Sequence, residues 1–318
     1  MVNSASKGIT VVKQYLFIAD SFQELNPKKD TTLFMMRESI KNNIEVFHAC
    51  IEDILFKDGE VLSRASFVKD VNNLKLDAAK KLVPLKAFDR VFMRKEPPVD
   101  TNYMNALHLL GLAQEHGARI SNNPNAIQNF NEKVFATYFS DLMPKTLITS
   151  NIDILKEFYN LHKKIIIKPL DGMGGESIYK IESLEERELL IIDELTNSGT
   201  RMIMVQEFIE EIFEGDFRVL IINGIPFKKV LARIPQNGSF KGNLAAGGRG
   251  VAKDISNNQL KIANAVSKRL SEHGIDFAGI DIIGNYLTEI NITCPTCACE
   301  IYDQTGENPI EVYLKEND

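Results

Sequence analysis

The segment Ile165-Ile166-Ile167-Lys168-Pro169-Leu170-Asp171-Gly172-Met173-Gly174-Gly175 joins an apolar run to a glycine-rich turn. The run reads as a buried strand with a cation at its exit. The three glycines let backbone N–H groups turn toward an anion with no Cβ in the way. Lys168 adds a point charge suited to phosphate. The same glycines also serve an ordinary hairpin between strands at 165–168 and 177–181. The segment holds neither G-x-x-x-x-G-K-[ST] nor G-x-G-x-x-G, so a bound nucleotide does not rest in either of those loops.

Toward the C-terminus, Gly279-Ile280-Asp281-Ile282-Ile283 and Leu287-Thr288-Glu289-Ile290-Asn291 read as a β-hairpin. Glu289 and Asn291 are two apart and project from one face. Two oxygen donors, with a carboxylate from the neighbouring strand, suit Mg²⁺. Register constrains this reading. A two-residue turn at Gly284-Asn285 pairs Asp281 with Thr288 and sends Glu289 to the other face. A metal shared by Asp281 and Glu289 therefore predicts a longer turn or a bulge. The competing reading is the polar outer face of an antiparallel hairpin.

Between these segments the charge is uneven. The chain has 318 residues, with 37 Lys+Arg against 43 Asp+Glu and a net charge of −6. From Phe217 to Ala252 there is no acid, while Arg218, Lys228, Lys229, Arg233, Lys241 and Arg249 fall in the same stretch. Five of the thirteen residues from Gly238 to Gly250 are glycine. A mobile loop with cations and no acid reads as a lid over a polyanion, or as a solvated surface loop. The overall acidity argues against a general nucleic-acid binder.

No apolar run reaches the ~18 residues of a membrane span, and the N-terminal apolar run is too short for a secretory signal. Cys294, Cys297 and Cys299 cluster while Cys50 stands alone, so a reducing cytoplasm and reduced thiols are expected rather than a disulfide framework. A structural zinc site lacks a fourth ligand. The five histidines are scattered without a catalytic pattern.

Elsewhere strands and helices alternate. Strands are expected at 14–19, 45–48 and 90–93, helices at 31–41 and 103–116, and a hairpin at Asp58-Gly59. This is an α/β unit with a mostly parallel sheet. Asn122-Asn123-Pro124 marks a boundary. Helices near 132–139, 153–161, 184–195 and 256–273, and strands near 146–148, 203–207, 217–222 and 226–234, complete the expectation.

Met93-Arg94-Lys95-Glu96-Pro97-Pro98, Asn131-Glu132-Lys133, and the segments 168–175, 232–250 and 281–297 together resemble the ATP-grasp superfamily. Within it they are most similar to the bacterial glutathione synthetase family. The strings Lys168–Gly175 and Gly242-Asn243-Leu244-Ala245-Ala246-Gly247-Gly248-Arg249-Gly250 carry the specificity of that resemblance. It implies an ATP-grasp fold preceded by a Rossmann-like α/β domain. The units would be 1–125, 126–209 and 210–318, with an active-site loop at 235–250.

The resemblance also implies roles. Lys133 and Lys168 match the ATP-phosphate lysines, with Gly172, Gly174 and Gly175 beside them. Gln206, Glu207, Phe208 and Ile209 match the adenine and ribose pocket, and Asp216 lies near the nucleotide. Lys168, Arg218 and Arg233 would spread the transferred charge in catalysis. Arg94, Arg218, Asn243 and Arg249 would bind substrate. Asp281, Glu289 and Asn291 match the ligands of Mg²⁺, with Mn²⁺ as an alternative ion. The activity implied is ATP-dependent ligation of γ-glutamylcysteine and glycine through an acyl phosphate. A cytoplasmic homotetramer with no nucleic-acid or membrane partner is the accompanying expectation. Two positions depart from the pattern: Cys294 stands for a serine and Cys299 for a basic residue. Residues 1–10 read as a tail without function.

Overall fold

A computed structural model describes residues 12–172 and 174–315; the tail at 1–10 and Met173 lie outside the described residues. The N-terminal sheet has eight strands. Its parallel part runs Glu45–Ala49, Gln14–Ile18, Arg90–Met93, Ile120–Ser121. Tyr15, Leu16, Phe17 and Ile18 are all at most 2% exposed, as expected for a strand covered on both faces. Asp30 caps the helix Thr31–Lys41, its Oδ1 accepting from Thr32 and Leu33 N–H. Asp58 and Gly59 both adopt positive φ and join Ile54–Lys57 to Glu60–Asp70, as the Asp-Gly signal predicts. The sequence does not signal the length of Glu60–Asp70. That strand anchors an antiparallel annex, with Lys81–Pro84 and Lys75–Leu76, on the parallel sheet.

The middle sheet has four antiparallel strands in the order Tyr179–Ile181, Ile165–Pro169, Ile203–Glu207, Thr146–Thr149. Helices Ile152–His162 and Glu186–Thr196 accompany it. The expected helix at 132–139 is a shorter one, Glu132–Ala136, continuing as a 3₁₀ segment to Leu142. The last sheet has six strands, with Arg249–Asp254, Lys229–Ile234, Asp216–Ile222, Phe277–Ile283 and Tyr286–Asn291 side by side. Arg249–Asp254 corrects the loop reading at its end: the glycine-rich loop stops at Gly248, and Arg249 and Gly250 already pair with Ile234 and Arg233.

Core packing divides the chain unequally. One buried cluster runs from Leu16 and Val91 in the first sheet to Val219 and Ile280 in the last. The middle sheet holds a separate cluster of Leu155, Ile165, Ile167, Ile181, Ile192, Leu195, Ile203 and Val205. The first and last sheets therefore share a core, and the middle one has a core of its own on one face while Met204 joins the shared one from the other. Asn122 seals the junction, donating to Phe277 O and Ile292 O and accepting from Asp276 and Phe277 N–H. Among the described residues no helix is long and apolar enough to cross a membrane.

Candidate active site

The register of the last sheet builds the site. Asp216 lies opposite Arg233, Arg218 opposite Asp281, and Asp281 opposite Glu289. Cross-strand partners share a face, so one face carries two rows of charged side chains, Asp216–Arg233 and Arg218–Asp281–Glu289. The expected irregularity is a bulge. Asp281 pairs with Glu289 but Ile282 pairs with Leu287, which leaves Thr288 unpaired, and the turn at Gly284-Asn285 stays two residues long. The freed Thr288 carbonyl accepts from Lys168 Nζ at 3.4 Å.

These charges are buried and paired. Arg218 Nε and Nη2 donate to the two oxygens of Asp281 at 2.6 and 3.0 Å. Arg233 Nη2 lies 2.6 Å from Asp216 Oδ2 and 3.0 Å from Asp281 Oδ1. Gly279 makes the first pair possible. A Cβ there would stand 2.7 Å from Arg218 Cδ, so no larger residue leaves room for the guanidinium to cross the strand. Burial would raise the Asp281 carboxyl, but Arg218 and Arg233 outweigh it and hold it at about 2. Burial pushes the Asp216 carboxyl up, against the pull of Arg233. Burial pulls the Lys168 ammonium down, with Glu289 opposing.

Opposite this face lies the glycine-rich turn. Lys133 Nζ donates to Gly172 O and lies 3.0 Å from Glu289 Oε1, bridging the two walls. A cleft of about 530 Å³ runs between them, lined by Lys133, Lys168, Gly172, Gly174, Gly175, Arg218, Arg233, Asn243, Asp281, Glu289 and Asn291. Its far wall belongs to the first sheet's loops, with Asp20, Lys29, Asp30 and Glu96. A smaller cavity of about 90 Å³ adjoins Lys168 and is lined by Gln206, Glu207, Phe208, Ile209 and Asp216.

Sequence reasoning missed Ile178, Ile212, Phe240 and Ile283 in that cavity. Phe240 comes from the glycine-rich loop and meets Phe208 edge-on, with ring centroids 6.4 Å apart. Its one signal was being the only aromatic residue between 235 and 250.

Two expected substrate residues lie elsewhere. Arg94 is buried behind the cleft. Its Nε donates to Thr32 Oγ1 and its Nη2 to Pro295 O at 2.8 Å, so it braces the turn that carries Cys294. Arg249 is exposed on an edge strand and lines neither cavity. Cys294 and Cys297 line the cleft as free thiols. Burial pushes the Cys294 thiol up to about 12, so it is a poor nucleophile at neutral pH.

The donor set fits a hard divalent cation. Among the described residues no three His, Cys, Asp or Glu side chains converge on a metal position. Asp281, Glu289 and Asn291 put two carboxylates and an amide on one face of the cleft. The Asn291 amide nitrogen is engaged by Gly279 O at 3.0 Å and Asp281 Oδ2 at 3.3 Å, which turns Oδ1 away from both. Two acids and an amide with room for water and phosphate match Mg²⁺ better than zinc.

A separate antiparallel middle sheet, a glycine-rich turn and a face of paired charges are the parts of an ATP-grasp ligase. Residues 14–128 match the prokaryotic glutathione synthetase N-terminal domain, and residues 132–306 match the prokaryotic glutathione synthetase ATP-grasp domain. The chain belongs to the prokaryotic glutathione synthetase family. Glutathione synthetase of Photorhabdus laumondii is 42% identical over 288 residues, covering 89% of this chain and 91% of that protein. That of Nitrosomonas europaea is 42% identical over 298 residues, covering 92% and 93%. Among solved structures, D-cycloserine synthetase DcsG superposes with a TM-score of 0.65 at 12% identity, covering 96% of this chain and 100% of that one. D-alanyl-alanine synthetase A from Vibrio cholerae gives 0.61 at 17%, covering 97% and 98%. At such identities these two share the fold.

Proposed function

We propose that the cleft joins γ-glutamylcysteine to glycine with ATP as the energy source, giving glutathione, ADP and phosphate. The observation that carries this reading is the charged face of the last sheet set against the glycine-rich turn. On the last sheet and the elements facing it, Lys133, Lys168, Arg218 and Arg233 line the cleft beside Asp281, Glu289 and Asn291. That arrangement serves a triphosphate and a cation.

A carboxylate resists attack because its charge repels a nucleophile and oxide does not leave. Phosphorylating the C-terminal carboxylate of the peptide removes both obstacles. The carboxylate oxygen takes the γ-phosphoryl group, the glycine amine adds to the acyl carbon, and the C–O bond to phosphate breaks. Lys168 and Arg233 offset charge on the transferring phosphoryl group, and Arg218 offsets charge on the carboxylate. Lys133 spans the nucleotide side and the metal side. Gln206, Phe208, Ile209 and Phe240 would hold the base in the smaller cavity. Mg²⁺, or Mn²⁺ in its place, would be held by Asp281, Glu289 and Asn291 and would neutralise phosphate oxygens when bound. The cytoplasmic, homotetrameric state carries over from the family resemblance and belongs to the same proposal. The route is tested with γ-glutamylcysteine carrying ¹⁸O in its C-terminal carboxylate. One ¹⁸O should appear in the released phosphate; its absence would rule out the acyl phosphate.

The loop excludes water. A Cβ on Gly248 would stand 2.0 Å from Gly242 O, so Gly248→Ala cannot keep the closed loop. The expected outcome is uncoupling, because water then reaches the acyl phosphate. ADP released per glutathione formed should rise above the wild-type ratio. An unchanged ratio with unchanged turnover would show that the loop does not seal the site.

A further inference from the structure

Three consecutive side chains tie together the two walls of the cleft. Asn131 Nδ2 donates to Leu170 O at 2.9 Å, at the start of the glycine-rich turn. Lys133 bridges that turn to Glu289, as above. Between them Glu132 faces the opposite element. Its Oε1 accepts from Ile292 N–H at 2.6 Å, Thr293 N–H at 2.9 Å and Thr293 Oγ1 at 2.9 Å. Ile292 follows Asn291, and its carbonyl is held from the other side by Asn122. Ile292, the residue after Asn291, is thus fixed at both its N–H and its C=O, and Glu132 is the clamp on the cleft side.

A carboxylate in this place needs a reason. It lines the same cleft as Glu289 and Asp281, so a further acid there opposes anion binding. Three donors on one oxygen offset the cost of burying its charge. A purely structural tie between helix and strand could be made without a charge. An ionised acceptor gives shorter and stiffer bonds.

We infer that Glu132 is a positioning residue that holds the Asn291 end of the metal strand at a set distance from Lys133 and the glycine-rich turn. It acts through Asn291 and Glu289 and touches no reacting atom. This rests on the proposed metal reading, and partners of this kind commonly account for about 10–100-fold in metal affinity.

The test uses the full-length protein with the non-hydrolysable nucleotide AMPPNP and Mn²⁺ as the probe, read by electron paramagnetic resonance. Glu132→Ala should weaken Mn²⁺ binding in the nucleotide complex by about 10–100-fold. The affinity for AMPPNP without metal should stay at the wild-type value. In steady state, the Mg²⁺ concentration for half-maximal rate should rise while KM for γ-glutamylcysteine holds. Glu132→Gln keeps an acceptor oxygen without its charge and should recover only part of the affinity. Thr293→Val removes one donor, threatens the fold less than Glu132→Ala, and should give a smaller loss of the same kind. Wild-type Mn²⁺ affinity in Glu132→Ala and Thr293→Val, or equal losses in Glu132→Ala and Glu132→Gln, would overturn the inference. Glu289→Gln in the same assay separates the two readings. If it too leaves Mn²⁺ binding intact, the metal site is at fault rather than the clamp.

Discussion

Glu289→Gln is expected to lower ligation by at least about 10²–10³-fold while the protein stays folded. Glu289 sits cross-strand from Asp281, with its side chain 21% exposed and 3.0 Å from Lys133. Glutamine has the same shape, so the bulge at Thr288 and the packing of Leu287 and Ile290 should survive. What is lost is one of two carboxylate donors and the partner of a nucleotide-side lysine. The cost to stability is limited because Lys133 keeps its bond to Gly172 O and glutamine still offers it an oxygen. The measurement is turnover at saturating ATP and Mg²⁺ beside a thermal melt. Near-normal turnover with an unchanged melt would remove Glu289 from the metal assignment.

Arg233→Ala is expected to produce the largest loss of stability in the site, about 3–5 kcal/mol. Arg233 is 3% exposed and touches both Asp216 and Asp281. Asp281 keeps its bidentate bond to Arg218. Asp216 has no comparable second cation, and its Oδ1 has no hydrogen-bond partner even with Arg233 present. Alanine therefore strands a buried carboxylate whose proton affinity burial has already raised. Urea unfolding should show a lower midpoint with an unchanged slope. Arg233→Lys should recover part of the stability by restoring the charge, and less of the activity, because an ammonium does not reproduce the planar second donor that Arg233 Nε gives to Asp216 O. An unchanged midpoint in Arg233→Ala would mean that the pair with Asp216 is not holding the site together.

Much of this site was legible from local pattern. Alternation puts Asp281, Glu289 and Asn291 on one face but does not tell a metal site from the polar side of a hairpin; requiring a shared face did predict the irregularity at Thr288. The Asp-Gly and Asn-Gly turns fell where their positive φ angles are needed. The strand Arg249–Asp254 was read partly as loop because its glycine-rich start has low strand propensity. Its ladder with Lys229–Ile234 supplies what the local sequence lacks. Long basic side chains were the hardest to place. Arg94, Arg218, Arg233 and Arg249 look alike in sequence, yet two enter the cleft, one braces a buried turn and one faces solvent. Only tertiary packing decides among those fates, as it does for Phe240 and Ile283 in the smaller cavity. Glu132 stood in plain view in a motif whose lysine drew the attention.

The central claim is that this cleft makes a peptide bond between γ-glutamylcysteine and glycine at the expense of ATP. ADP release, measured with each component left out in turn, tests it most directly. Release should be rapid only when ATP, Mg²⁺, γ-glutamylcysteine and glycine are all present, with one glutathione formed per ADP. Release with D-alanine as the sole amino-acid substrate, or none with the complete mixture, would contradict it.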